Sequence, residues 1–452
     1  MKQPNIVVFF SDQQRFDTLG CNGQPLEVTP RLDQMAREGV NYRNAFTPQP
    51  VCGPARAIMQ SGLWPTVTGC HRNARPLPLD CNTVAKRLKA VGYSVGYVGK
   101  WHLASDLVDY SREQRDKGLD LERKPIPLER RGGYDEYWVA SDALEQTSDS
   151  RGGYLFDADG NKLEFTGYRT DRVTDYALDY IDAQVKDKPF YLYLSHIEPH
   201  HQNNHNCFEG PDGSRERFAD FIAPPDLPPG EGDWESQYPD YLGCCRALDD
   251  NLGRVLDKLD EKGLYDDTIV IFTTDHGCHF QTLLHEKASN GSDDYKRNCR
   301  DNTIHIPMVI RGPGFTGGLE EHRFADLLDV PATIVDAAGG DTSGMQGESL
   351  LDMGEGWKKE VYIQISESMV GRVVRTDRYT YCVHAPDRHP WYDDRSDTYL
   401  DKFLFDNLKD PNQKTNLADD PAYAEVKADL RMRLLACAAK AGEGTPCILD
   451  SE

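Results

Sequence analysis

Cysteine pairs at metal-binding or redox spacing are missing from this chain. Its twelve cysteines are scattered over 452 residues with no Cys-x-x-Cys anywhere. In a chain of that length they read as reduced, mostly buried thiols, which excludes a disulfide framework and a structural zinc site. No apolar run approaches membrane-spanning length, so no membrane partner is expected. The segment from Met1 to Asn5 leads straight into a short apolar stretch and carries no signal-peptide cleavage pattern, from which a cytoplasmic location is expected. Positive charge is also scarce: 51 Lys and Arg against 74 Asp and Glu give a net charge of −23, spread along the chain. That balance argues against a nucleic-acid binder. No internal repeat is present.

What the chain does have is a set of short apolar runs, each ending in polar residues. Asn5 to Phe10 leads into Ser11-Asp12-Gln13, and Tyr93 to Val98 into Gly99-Lys100-Trp101-His102. Phe190 to Leu194 leads into Ser195 and on to Pro199-His200, and Thr268 to Phe272 into Thr273-Thr274-Asp275-His276. Such runs fit strands covered on both faces of a parallel sheet, whose carboxyl ends are where open α/β folds bind ligands. Between them, Val173, Ala177, Tyr180, Ile181 and Val185 recur at helical spacing, as do Leu242, Cys245, Leu248, Leu252, Val255, Leu256 and Leu259. The expected fold is α/β, a mostly parallel sheet sandwiched by helices. Asp106 to Asp149 is polar and irregular, and Cys207 to Pro239, with two Pro-Pro pairs, reads as a long ordered loop. Beyond Gly339-Gly340 short strand-like runs follow one another without helices, then a helix from about Ala422 to Ala439. This predicts a smaller antiparallel-sheet-plus-helix domain over 346–452, after a larger α/β domain over 1–345.

The most informative stretch is Pro50-Val51-Cys52-Gly53-Pro54-Ala55-Arg56, followed by a run able to continue as helix, with Pro54 as its first residue. Cys52 then sits at a helix N-terminus, where free backbone donors favour an anion or a polarised nucleophile. Cys-x-Pro-x-Arg alone also suits a buried structural cysteine. With Ser61-Gly62-Leu63-Trp64-Pro65 and Thr68-Gly69, however, it closely resembles the signature of the type I sulfatases, in the alkaline phosphatase-like superfamily. The resemblance runs over nearly the whole chain.

That resemblance implies a sulfuric ester hydrolase in which Cys52 is oxidised by a formylglycine-generating maturase to an aldehyde whose hydrate is the nucleophile. It aligns Asp12, Gln13, Asp275 and His276 with the ligands of a divalent metal, Ca2+ above all, joined by an oxygen of the modified Cys52. Two departures stand out: many members carry a second Asp where Gln13 stands, and a histidine nitrogen is a poor calcium ligand. It also implies that Arg56 helps deprotonate the hydrate, that Lys100 contacts sulfate, that His102 takes a proton when sulfate is expelled, and that His200 protonates the leaving group. A second lysine is expected eleven residues before Pro307, which is Lys296, with Lys287 as the runner-up. His71 and Arg75 after the signature, and His201, Asn203 and His205 after His200, are candidate contacts to a sulfated sugar of the galactose or N-acetylgalactosamine type, with aryl sulfates as further substrates. Rival readings are a phosphonate or phosphate ester hydrolase on the same scaffold and a non-catalytic binder of sulfated glycans.

Overall fold

A computed structural model describes residues 3–108, 118–186 and 188–450. Among them the larger sheet comprises β1 (Asn5–Asp12), β2 (Val40–Phe46), β3 (Ser94–Lys100), β4 (Tyr137–Ser141), β5 (Ser148–Asp149), β6 (Gly152–Phe156), β7 (Lys162–Thr166), β8 (Phe190–Pro199), β9 (Thr268–Thr274), β10 (Met308–Arg311) and β11 (Leu319–Asp326). Their order is β11-β2-β10-β9-β1-β8-β3-β4-β6-β5, with β7 on β6. The central strands β9, β1, β8, β3 and β4 run parallel, while β10 is antiparallel to both its neighbours.

Strand β1 shows why the sheet is covered on both faces. All eight residues are buried, and they alternate between two cores. Ile6, Val8 and Phe10 meet helices α2 (Cys52–Ser61), α3 (Val84–Ala90) and α6 (Asp329–Ala337). Val7 and Phe9 meet α1 (Pro30–Glu38), α4 (Arg169–Asp182) and α5 (Trp234–Glu261). A two-residue side-chain period delivers apolar groups to both layers only when the run is continuously apolar. The sandwich therefore follows from the sequence pattern.

The second sheet, in the order β12 (Glu360–Ile365), β13 (Gly371–Thr376), β14 (Tyr379–His384), β15 (Thr398–Asp406) and β16 (Cys447–Leu449), is antiparallel except for the last pair. Helix α7 (Ala424–Lys440) packs through Leu430, Leu434 and Ala438 into the same core as α2, α3 and α6. The two sheets thus share one apolar core across their junction.

Some expectations change. The helix over Val173 stops at Asp182, leaving Val185 65% exposed rather than on the buried face. The irregular stretch from Asp106 contains β4, five residues too short to announce themselves between polar flanks, and its residues 109–117 lie outside those described. The Cys207 loop ends at Trp234, so Pro239 lies inside α5. No described helix is long and apolar enough to cross a membrane.

Candidate active site

Four strand ends and one helix start converge. Ser11 of β1 is level with Thr274 of β9, which places Asp12 beside Asp275 at the carboxyl edge of the sheet. Asp275 Oδ1 then accepts the backbone N–H groups of Gln13 and His276, each at 2.9 Å. Lys100 ends β3, directly after Gly99. Gly99 has a φ of +107°, and a Cβ there would lie 1.9 Å from the Ser195 carbonyl oxygen, so only glycine lets the chain turn towards the site. His102, Gln13 and Arg297 are non-glycine residues held at φ values of 59°, 70° and 70°. Clustered backbone strain of this kind marks sites that the surrounding structure over-determines.

Helix α2 begins at Cys52 itself, after extended Val51. Pro54 is its third residue, two later than the sequence suggests. Proline is tolerated there because the first-turn N–H groups have no intrahelical partner. Arg56, four residues on, lies on the same helix face. It is buried, and its Nη2 donates to Asp12 Oδ2 at 2.9 Å while Nη1 donates to Ser195 Oγ at 2.6 Å and the Lys100 carbonyl at 2.9 Å. Lys100 Nζ donates to the same Asp12 oxygen at 2.9 Å and sits 3.3 Å from Glu145 Oε2. Burial alone would raise the Asp12 carboxyl. Lys100, with Arg56 and Lys296 behind it, outweighs burial and holds Asp12 well below the ordinary carboxylate range.

Cys52 Sγ is enclosed by chemistry. Asp12 Oδ1 lies 3.4 Å away, His276 Nε2 3.3 Å and Lys296 Nζ 3.1 Å. Burial, then the Asp12 charge, pushes the thiol up, so it is protonated near neutrality and is a weak nucleophile as it stands. One ligand atom from each of Asp12, Cys52, Asp275 and His276 falls within 4.8 Å of the others, all four residues buried. Burial, then Asp12, pushes the Asp275 carboxyl up to about 7, and its Oδ2 has no hydrogen-bond partner. Two adjacent buried carboxylates with an orphan oxygen fit a divalent cation. Gln13 Oε1 lies 3.4 Å from Lys296 Nζ, with its Nε2 turned to Cys278 Sγ at 3.6 Å.

Above this floor, Cys52, Lys100, His102, His200, Lys296 and Asn203 line one cavity of about 250 Å³. Lys296 is 2% exposed and its Nζ lies 3.0 Å from His200 Nε2, whereas the alternative Lys287 faces solvent. Burial works against the Lys296 ammonium, and the Asp294 and Asp12 carboxylates help to hold it charged. His200 Nδ1 is 2.6 Å from the His201 carbonyl oxygen, a contact that assigns the proton to Nδ1 and leaves Nε2 as the acceptor facing Lys296. Burial, then Lys296, keeps His200 neutral. Burial, then Lys100, lowers His102 to about 3, and its Nδ1 has no partner.

Of the expected sugar contacts, Asn203 alone lines this cavity. His201 stacks between His200 and Tyr295, with ring centroids 4.4 Å from each. It supports His200 from behind. His71 is buried, Arg75 pairs with Asp106 at 3.7 Å on the surface, and His205 pairs with Glu209. The lining residues that the sequence analysis does not single out include Glu145, Asp294, Arg297 and Glu367. Glu367 Oε2 accepts Arg297 Nε at 2.7 Å and its Oε1 accepts the Asn73 N–H at 2.6 Å, tying the β12–β13 loop of the second sheet to the cavity.

Comparison with known proteins agrees with this geometry. The Sulfatase family model matches residues 4–340, and the C-terminal model of N-sulphoglucosamine sulphohydrolase matches residues 293–440. An ulvan-active sulfatase of Formosa agariphila is 28% identical over 96% of this chain and 80% of its own. An N-acetylglucosamine-6-O-sulfatase of Bacteroides thetaiotaomicron is 24% identical, covering 96% of this chain and 86% of its own. A solved structure assigned as the sulfatase YidJ of Bacteroides fragilis superposes with a TM-score of 0.81 at 25% identity, over 98% of this chain and 96% of that one. Converging strand ends, a buried cysteine at a helix start and a family model spanning three quarters of the sequence lead to one conclusion: the chain belongs to the sulfatase family, with the alkaline phosphatase-like fold, and is a sulfuric ester hydrolase.

Proposed function

We propose that this sulfatase hydrolyses the sulfate monoester of a carbohydrate, of the galactose or N-acetylgalactosamine type, using formylglycine made from Cys52 and a Ca2+ ion beside it. Aryl sulfates are secondary substrates. The observation that carries the reading is Cys52 Sγ at the start of α2, within 3.4 Å of Asp12, His276 and Lys296, on the floor of a polar cavity. A relative named for N-acetylglucosamine 6-O-sulfate and the scarcity of apolar lining support the sugar.

Formylglycine supplies a hydrated aldehyde, one hydroxyl to attack sulfur and a second to release sulfate. The chain's own groups do the rest. Asp12, Asp275 and Gln13 Oε1 would hold the cation, with His276 Nε2 facing the same cluster. Arg56 favours an oxyanion at position 52 through the shared Asp12 pairing. Lys100 and Lys296 place two ammonium groups where the sulfuryl oxygens sit, and stabilise charge as it develops. A sulfate monoester between Lys296 and His200 brings negative charge against the imidazole, which favours its protonated form and makes it the acid for the departing oxygen. His102 stays neutral with an unused ring nitrogen, fit to accept the proton of the second hydroxyl.

His200→Ala is expected to lower kcat about 10²- to 10³-fold on an alkyl or sugar sulfate and to change the rate on 4-nitrophenyl sulfate little, because a good leaving group departs without a proton. Equal losses on both esters would remove His200 from the acid role. Chelation of divalent cations is expected to lower both activity and Tm, with calcium restoring each; an unchanged Tm and rate after metal analysis confirms depletion would reject the metal. The reading as a whole is tested by the mass of the Cys52 peptide from protein co-expressed with a maturase, together with rates on sulfated galactosides and on the sulfate and phosphate esters of one phenol. Conversion of the thiol to an aldehyde with preference for the sulfates supports it. An unmodified thiol without turnover would identify a glycan binder, and faster phosphate cleavage a phosphate or phosphonate ester hydrolase.

A further inference from the structure

The cavity is not uniformly cationic. Its lining carries Lys100, Lys296 and Arg297, yet Glu122, Glu145, Asp294 and Glu367 belong to it as well. An acidic wall is unexpected in a site for anions, since each carboxylate opposes sulfate binding.

Glu145 is the most telling of these carboxylates, since Asp294 and Glu367 are both paired with Arg297. It lies on the single turn Leu144–Thr147 that follows β4, its side chain is 9% exposed, and its Oε2 has no hydrogen-bond partner. That oxygen is 3.3 Å from Lys100 Nζ, which is itself anchored on Asp12. The ammonium keeps the carboxylate charged without saturating it. Its backbone is fixed as well, because the Glu145 carbonyl accepts the Gln202 amide and the Ala143 carbonyl accepts Gln146 N–H. A buried carboxylate with an unfilled acceptor, facing a ligand cavity, is built to receive a donor from the ligand.

Lys100 fixes what that donor is. An ester whose sulfuryl oxygens reach Lys100 brings the atoms one or two bonds beyond its ester carbon towards Glu145. On a sugar those atoms carry a hydroxyl. We propose that Glu145 is a specificity-determining residue that accepts a hydrogen bond from an unsubstituted hydroxyl flanking the sulfated carbon, and that it rejects substrates bearing a second sulfate or a carboxylate at that position. The inference rests on the sugar reading above. It narrows the substrate class to monosulfated units with a free neighbouring hydroxyl.

The test uses the matured enzyme and its Glu145→Gln variant, with 4-nitrophenyl sulfate and the methyl galactoside and glucosaminide monosulfates as probes. The fastest sugar is then compared with its analogue lacking the flanking hydroxyl and with the disulfate carrying sulfate there. The wild-type enzyme is expected to favour the hydroxyl-bearing monosulfate in kcat/KM by about 10- to 100-fold over the deoxy analogue, as for a hydrogen bond to a charged acceptor. It should favour it by at least as much over the disulfate. In Glu145→Gln both preferences are expected to shrink to within about threefold. Because each preference is a ratio within one enzyme, a general loss of activity in the variant leaves it readable. Equilibrium affinities of the same three sugars for unmatured protein give the ratios again should turnover be too slow. Preferences that persist in the variant overturn the assignment while the sugar reading stands. Cleavage of 4-nitrophenyl sulfate with neither cleavage nor binding of any sugar overturns both.

Discussion

Cys52→Ala is expected to remove steady-state sulfate release altogether, a loss of roughly 10⁵- to 10⁶-fold of the kind seen when a nucleophile is deleted, with Tm lowered by no more than about 3 °C. Cys52 is 1% exposed, but its sulfur is a small part of a site whose rigidity comes from Asp12, Arg56 and Lys100. Cys52→Ser is the sharper variant. A serine can displace the alcohol once and form a sulfated side chain, but it lacks the second hydroxyl needed to expel sulfate. The expectation is release of at most one equivalent of phenol per enzyme, then nothing. Steady turnover by Cys52→Ser would show that the second hydroxyl is dispensable and would end the formylglycine mechanism. Both substitutions should leave the binding of a sulfated sugar within about threefold, since Lys100 and Lys296 remain.

Why these residues were legible, and others were not, has a physical basis. Asp12, Lys100 and Asp275 stand where continuously apolar strands end, and the end of a buried parallel strand must open onto the ligand edge. Cys52 and Arg56 carried the family signature on one helix face. Lys296 was found only through its interval to Pro307, since it sits in a loop without period. Glu367 and Arg297 gave no signal. Both take left-handed backbone angles without being glycine, and their ion pair joins two loops 70 residues apart in the chain. Glu145 is one acidic residue among many, and its meaning comes from an ammonium brought by β3. His71, Arg75 and His205 illustrate the converse. Polar side chains beside a motif are easily assigned to its site, but loop direction is decided by tertiary contacts that a local reading does not contain.

Asp12→Ala is the substitution expected to damage both function and fold. A single carboxylate oxygen, Oδ2, accepts from Arg56 Nη2 and Lys100 Nζ, each at 2.9 Å, and all three side chains are at most 1% exposed. Removing it leaves two buried cations facing each other, and breaking one buried pair by deleting a partner already costs about 3–5 kcal/mol. The midpoint of denaturant unfolding should fall accordingly, and sulfate release should vanish with it. Asp12→Asn keeps the shape and one acceptor, so it should recover part of the stability and little of the activity. The decisive comparison is the double variant Asp12→Asn with Lys100→Met. If the carboxylate matters to the fold chiefly by neutralising Lys100 and Arg56, removing one cation relieves the repulsion, and the double variant is more stable than Asp12→Asn by about 1–2 kcal/mol. If the two losses simply add, the charges are screened by something other than Asp12, and the electrostatic account of the floor fails. Calcium supplies an independent check: it should raise the Tm of the parent and of Lys100→Met, and leave both Asp12 variants where they are.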